Sequence, residues 1–197
     1  MKKLLVVDGN SIINRAFYGI RPLTTSYGQH TNAIYGMVNI LLKHVESLKP
    51  DYCAVAFDLR EPTFRHKMYV EYKAGRRVMP EELSTQFDYA KQCCEMLGFS
   101  VISQKGFEAD DILGTYAKMA EEYGNIEAYI VTGDRDALQL IDRNTVVLLE
   151  TNSGTVKYDR DKFVEVYGIE PSLFVDVKSL MGDSSDNIPG VAGVGEK

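Results

Sequence analysis

The sequence predicts an α/β protein built on an open parallel sheet, and three observations carry that prediction. Short β-branched apolar runs alternate with stretches of helical periodicity. Hydrophobic residues make up 45% of the 197, enough to bury a core, and the 25% charged share is that of ordinary globular chains. Acidic residues fall just after the strand patterns, where an open parallel sheet forms its ligand crevice. The length suits one domain, or one domain with a short appendage.

The elements follow in order. Strands are expected at residues 3–8, 53–58, 100–103, 128–132 and 146–150. The opening MKKLLVVDGN has too short an apolar run for an export signal and reads as the first strand. An amphipathic helix lies between the first two strands, with Ile34, Met37, Val38, Leu41, Leu42, Val45 and Leu48 forming its buried face. A second helix is expected over 84–97, stopped by Gly98, and a third from near Glu108 to near Gly124. No apolar run approaches the ~18 residues of a membrane-spanning helix. The three cysteines, Cys53, Cys93 and Cys94, are odd in number and lack metal-ligand spacing, which suits a reduced compartment. A cytoplasmic protein with no membrane partner is expected, and nothing demands more than a monomer.

The net charge of −6 argues against a polyanionic partner until its distribution is read. Residues 59–80 hold Arg60, Arg65, Lys67, Lys73, Arg76 and Arg77 against Glu61 and Glu71. Such a stretch is either a solvated face or an arm that holds a polyanion while the acids hold cations. It lacks a strong apolar stripe, so a mobile insertion over the sheet is expected. Phe64, Tyr69 and Tyr72 interleave with the cations, a pattern suited to stacked bases and paired phosphates.

Asp8 and Asp58 end the first two strand patterns, and Asp134 and Asp136 follow the fourth. Taken singly, each is an ordinary turn or N-cap residue. Together they would repel and desolvate poorly without a cation. Glu108, Asp110 and Asp111 open the third helix. There they satisfy the helix dipole, or they form a shelf in which Glu108 and Asp111 share a face and Asp110 projects about 100° away. Asp183 and Asp186 sit three apart in a turn-rich loop. Clustered carboxylates without His or Cys suit hard ions such as Mg²⁺ or Mn²⁺, and two such ions clamp the attacking and leaving oxygens of a phosphodiester. Lys73 and Arg76 would add cationic help. The tail from Ile188 to Gly195 resembles the turn of a helix–hairpin–helix, whose glycines (here Gly190, Gly193 and Gly195) let backbone N–H groups approach a phosphate. The alternative there is an ordinary glycine-rich loop. The second helix of such a motif would lie beyond Lys197, so a chain cut through the motif is expected.

The ordered blocks VVDGNSIINRAFYG, AVAFD, TFRHKMYVEYKAGRRVMPEEL, GFEADDILGTYA, VTGDRDALQL and LMGDSSDNIPGVAGVGEK resemble the 5′-nuclease domain of bacterial DNA polymerases of type I. More broadly they resemble the flap endonuclease superfamily, whose sheet is PIN-like. The resemblance covers residues 3–197. It implies a PIN-like catalytic domain over 1–180 with a helical arch at 59–80, then the start of a helix–hairpin–helix at 181–197. It implies metal ligation by Asp8, Asp58, Glu108, Asp110, Asp111, Asp134, Asp136, Asp183 and Asp186, with Asp183 and Asp186 completing a second cluster. It places Lys73 and Arg76 near the scissile phosphate, Arg65 and Tyr72 in the arch, and Arg15 and Phe17 near the bases. It also implies K⁺ at the complete hairpin, a polymerase domain in the same native chain, and work in the bacterial nucleoid. The implied substrate is DNA bearing a 5′ flap, nick or RNA-primer end, cut to leave 5′-phosphates in primer removal and repair. Ala192 departs from the proline expected in the hairpin turn. The rival readings are a DNA-junction clamp with a structural metal cluster and a PIN-type ribonuclease; a phosphoacceptor receiver would not need Asp183, Asp186 or the arch.

Overall fold

The computed structural model describes residues 1–76 and 78–195. Arg77, one of the cations of the basic stretch, lies outside them, as do Glu196 and Lys197. The strands are β1 (Lys2–Asp8), β2 (Tyr52–Ala56), β3 (Ser100–Ile102), β4 (Ile126–Thr132), β5 (Thr145–Thr151) and β6 (Gly154–Tyr158). They form one sheet in the order β3-β2-β1-β4-β5-β6. The first five run parallel and β6 pairs antiparallel with β5, so the sheet is mixed at one edge. The sequence reading did not anticipate β6. Its five residues, GTVKY, are only partly buried and carry no apolar run, as befits an edge strand reached through a two-residue turn.

The helices are α1 (Gly9–Gly19), α2 (Asn32–Leu48), α3 (Phe64–Met68), α4 (Glu81–Ser84), α5 (Gln86–Met96), α6 (Ala109–Tyr123), α7 (Arg160–Tyr167) and α8 (Phe174–Met181). Central strand β1 feeds both faces of the sheet. Leu5 and Val7 pack with Ile12, Met37, Leu41 and Phe87, while Leu4 and Val6 pack with Ile112, Leu113 and Phe163. That two-sided burial explains its unbroken apolar run. The buried stripe of α2 differs from the expected one: Met37 and Leu41 are buried with Ala33 and His44, while Leu42 is exposed. Leu42 sits about 100° round from Leu41, and the sheet covers only one side. Helix α1 was hidden by its Gly-Asn-Ser opening, which reads as a turn; Asp8 caps it by accepting from the Ser11 N–H. Among the described residues no helix is long and apolar enough to cross a membrane.

A buried polar clip fastens the antiparallel edge to α2. His44 Nε2 lies 2.7 Å from Glu150 Oε1, which also accepts from the Thr155 hydroxyl at 2.5 Å, and Lys43 reaches the same pair. Burial alone would raise the Glu150 carboxyl, but the bonds from His44 and Thr155 outweigh it and lower the pKa to about 2 from an ordinary 4.5. A depressed carboxyl contributes stability above its unfolded pKa and loses it as pH falls toward the folded one. Glu150→Gln is therefore expected to cost about 2–3 kcal/mol in urea unfolding at pH 6. The difference from wild type should shrink between pH 4.5 and pH 2. A difference that stays constant over that range would mean the carboxylate is not what holds the clip.

Candidate active site

Strand order decides where the acids meet. The chain winds from β1 toward β2 on one side and toward β4 on the other, so the carboxyl ends of β1, β2 and β4 border the topological switch point. Asp8 closes β1, Asp58 follows β2 and Asp134 follows β4. The N-terminus of α6 brings Asp110 to the same place. Asp8, Asp58, Asp110 and Asp134 line one cleft of about 500 Å³ together with Lys73 and Arg76.

Each of these acids is aimed by its neighbours. Asp8, 4% exposed, accepts from Ser11 N at 2.9 Å and from the Thr132 hydroxyl at 2.8 Å. Thr132 in turn accepts the Asp134 N–H, tying the ends of β1 and β4 together. Asp58 accepts the Ala109 N–H at 2.6 Å, and its own N–H donates to Asn10. Burial, opposed by the Ser11 and Thr132 bonds and aided by the charges of Asp58 and Asp134, pushes the Asp8 carboxyl up to about 6. Asp110 is pushed up to about 7 by desolvation and then by Asp8, Asp134 and Asp58, with Lys73 opposing. Its side chain still faces an open cleft, so that shift converts to less energy than the one at Asp8.

A second group lies beside the first. Asp136, Asp183 and Asp186 line a neighbouring cleft of about 780 Å³ that also reaches Asp110 and Asp111. Burial and the charge of Asp134 raise the Asp136 carboxyl even though Lys178 donates to it at 2.8 Å. Two bonds from Ser185 outweigh burial at Asp183 and lower its pKa.

The basic arm closes over the remaining acids rather than standing loose. Glu108, 5% exposed, receives the Tyr72 hydroxyl and the Lys73 ammonium, each at 2.9 Å. Arg65 holds Asp111 through two bonds of 2.7 and 2.8 Å. Arg76 pairs with Asp186, and Asn187 donates to the Glu71 carbonyl. The described part of 59–80, expected as a mobile insertion, is thus tied to the body by polar contacts in this conformation. Charge complementarity across the cleft supplies the anchoring that an apolar stripe would otherwise give. Glu108 and Asp111, expected on one face of the helix, both face the arm, and Asp110 alone turns to Asp8.

The residues expected to meet nucleotides are less uniform. Tyr72 is buried with its hydroxyl engaged, so its ring is not a free stacking surface. Phe64 packs against Phe107 and lies 4.6 Å from the Arg65 guanidinium. Phe17 sits against the core, whereas its neighbour Tyr18 is 71% exposed and lines the acidic cleft with Asn14. Arg15 donates to Asn152 at the β5–β6 turn. The sequence reading missed Tyr18, Asn10, Ser11 and Thr132; only the position of Ser11, three after Asp8 as a capping spacing demands, signalled one of them.

The glycines of the tail divide as well. A Cβ on Gly190 would lie 2.1 Å from the Met181 carbonyl oxygen, and one on Gly182 (φ +72) would lie 2.3 Å from the Gly190 nitrogen. Gly190 thus serves a backbone-to-backbone contact that closes the loop carrying Asp183 and Asp186, and its lack of a side chain is required there. Gly193 and Gly195 have open space at that position. Gly190→Ala is expected to cost about 1–3 kcal/mol by overpacking. It should also speed amide exchange at Ile188 and Val191, which bond to Asp183 and Leu180. Unchanged protection at both amides would remove the role assigned to that contact.

Among the described residues, no three His, Cys, Asp or Glu side chains converge as a ready-made metal cage. The donor chemistry nevertheless fits a hard divalent ion: every candidate group is a carboxylate, and burial first, then the neighbouring carboxylates, raise Asp8 and Asp110.

Comparison with known proteins agrees with this arrangement. The chain is 46% identical over 198 residues to DNA polymerase I of Bacillus subtilis and 45% identical over 199 residues to that of Caldicellulosiruptor bescii. It spans only 22% and 23% of those proteins, while 100% and 99% of the chain is covered. The fold is similar to a T5 protein co-crystallised with metal ions, with a TM-score of 0.79 and 20% identity over 98% of this chain and 72% of that one. It is also similar to a bacteriophage T5 flap endonuclease pseudo-enzyme–product complex with DNA and metal ions, with a TM-score of 0.75 and 24% identity over 100% of this chain and 72% of that one. The sequence profile described as the 5′-3′ exonuclease, N-terminal resolvase-like domain matches residues 3–168, and the chain belongs to that family.

Proposed function

We propose that the chain is a structure-selective 5′-3′ exonuclease and flap endonuclease that hydrolyses phosphodiesters of DNA and of RNA primers, leaving 5′-phosphate products. One observation carries this reading. Four carboxylates from three strand ends and one helix start, none paired with a cation among the described residues, share a cleft with Lys73 and Arg76. Asp8 and Asp110, whose pKa values are raised, lie opposite cations, which suits a site where an anionic substrate is held beside divalent ions. Asp8, Asp58, Asp110 and Asp134 would hold a first Mg²⁺ or Mn²⁺, and Asp136, Asp183 and Asp186 would complete a second position. Two bound ions supply a Lewis acid and a water acidic enough to attack at neutral pH.

The protein's own part is positioning. Ser11 and Thr132 fix the Asp8 carboxylate, and the Ala109 N–H fixes Asp58. Lys73 and Arg76 face the developing phosphoryl charge once the arm lets go of Glu108 and Asp186. Arg65 and the arch around it guide the 5′ strand, and Arg15 and Tyr18 lie on the side where α1 would meet bases. Glu108 and Asp111 switch from arm partners to the outer shell of the ion site. Residues 1–180 form the catalytic domain. The glycine-rich segment 188–195 would meet the backbone of downstream duplex, with K⁺ as its monovalent ion. The native chain carries a polymerase domain and works in primer removal and repair at the bacterial nucleoid. Metal-bound and DNA-bound T5 relatives of the same fold support the substrate class.

The test is cleavage of a 5′-labelled double-flap DNA with Mg²⁺ or Mn²⁺, beside an EDTA control and an unstructured RNA. Products near the flap junction that vanish with EDTA are expected. Flap binding without product at saturating Mn²⁺ would favour a junction clamp. RNA cut as fast as the flap would favour a ribonuclease.

A further inference from the structure

Lys178 belongs to neither the arm nor the predicted ligand set, yet its ammonium sits inside the second acidic group. Nζ lies 2.8 Å from Asp136 Oδ1, and the charges of Asp183 and Asp134 also act on it. Helix α8 sets this position. Phe174 anchors the helix in the core against Phe163, and Lys178 follows one turn later on the cleft side. Both partners are about one-third exposed, so an isolated pair would add little stability. Its placement is what matters. Asp136 and Asp183 line the same cleft as Asp186, whose carboxylate is paired with Arg76. The first group has no such plug: among the described residues no cation is paired with Asp8, Asp58, Asp110 or Asp134. The two groups are therefore unequally available to an incoming ion.

We propose that Lys178 is a resident cation of the second acidic group, which a second divalent ion must displace, so that the two ion positions fill in sequence. The proposal rests on the proposed reading of Asp136, Asp183 and Asp186 as ligands of a second cation. It assigns to Lys178 a positioning role, holding Asp136 oriented and partly neutralised while weakening the second ion. A lysine suits this role because its ammonium is a point charge on a flexible stem that can swing out without moving α8.

Calorimetric titration of the whole 197-residue protein with Mn²⁺ in the absence of DNA tests this, with bound ion counted independently by electron paramagnetic resonance. The wild type is expected to show one tighter and one weaker ion. In Lys178→Met the weaker ion should bind about fivefold more tightly, the factor set by removing one partly exposed ion pair, with the tighter ion unchanged. Lys178→Arg should keep the wild-type value. Lys178→Gln carries the same expectation as the methionine variant, so a folding defect in one leaves the other to decide. Equal or weaker second-ion binding in both neutral variants would overturn the proposal while leaving the metal reading standing. Absence of any Mn²⁺ binding by the wild type would overturn both.

Discussion

Replacing Asp110 with asparagine is expected to lower flap cleavage by about 10³-fold while leaving the fold intact and the metal-free protein no less stable. The substitution is nearly isosteric and removes one negative charge from a group that is already short of compensation. Asp110 is exposed to that shortage through burial and through Asp8, Asp134 and Asp58, which together raise its carboxyl to about 7. An amide in its place relieves the repulsion, so the melting temperature without metal should hold or rise. The same amide binds a hard cation far less well than a carboxylate, so on the proposed reading the cleft would lose a ligand for its ion. The expected pair of results, activity lost and apo stability kept, separates a site residue from a structural one. A variant that cut at the wild-type rate would end the ion-binding reading of this cleft. One that unfolded would mean that Asp110 is a capping residue first.

Divalent ions are expected to stabilise the folded chain strongly at neutral pH and hardly at all near pH 5. The Asp8 carboxyl has an ordinary value of 3.8 and is raised to about 6 in the fold. A carboxyl raised by folding binds its proton more tightly in the native state. The metal-free protein is therefore most stable, with respect to this group, below about pH 4, and loses that stability as pH climbs toward 6. Keeping Asp8 ionised at pH 7.5 costs about 3 kcal/mol, a weight justified by its near-complete burial. A divalent ion offsets the cost by supplying the missing positive charge, and at pH 5 it must first displace a proton. Melting curves with millimolar Mn²⁺ should therefore rise by about 5 °C or more at pH 7.5. A shift of equal size at pH 5 would point instead to binding at already ionised surface acids, and no shift at pH 7.5 would remove Asp8 from the ligand set.

The arm adds a condition to both results. Lys73, Arg65 and Arg76 are held by Glu108, Asp111 and Asp186 in the resting fold. Cations that are to meet a phosphate must first leave these carboxylates. Added salt should loosen the partly exposed Arg76 pair more readily than the buried Tyr72–Glu108 contact. The arm is thus fastened at both ends, to the start of α6 and to the loop carrying Asp183 and Asp186.

Much of this was legible in the sequence, and the part that was not has a common cause. Apolar runs set by β-branched residues located the five parallel strands, and the 3.6-residue period located α2, α5 and α6, because both signals are local. The acids after β1, β2 and β4 were legible for the same reason: a crevice residue of a parallel sheet must sit at a strand's end. The antiparallel β6 was not, since an edge strand needs only one partner and carries no apolar run. The state of the arm was not legible either. Its contacts are ion pairs between residues dozens of positions apart, such as Arg65 with Asp111 and Arg76 with Asp186, and no local pattern announces them. Gly190 was visible as a glycine, but only the approach of the Met181–Gly182 backbone says what its missing side chain is for. Sequence alone determined which chemical groups the protein brings to its site. Tertiary structure decided which of them stand free and which are already paired, because like charges brought together by the sheet's strand order must find compensation across the cleft.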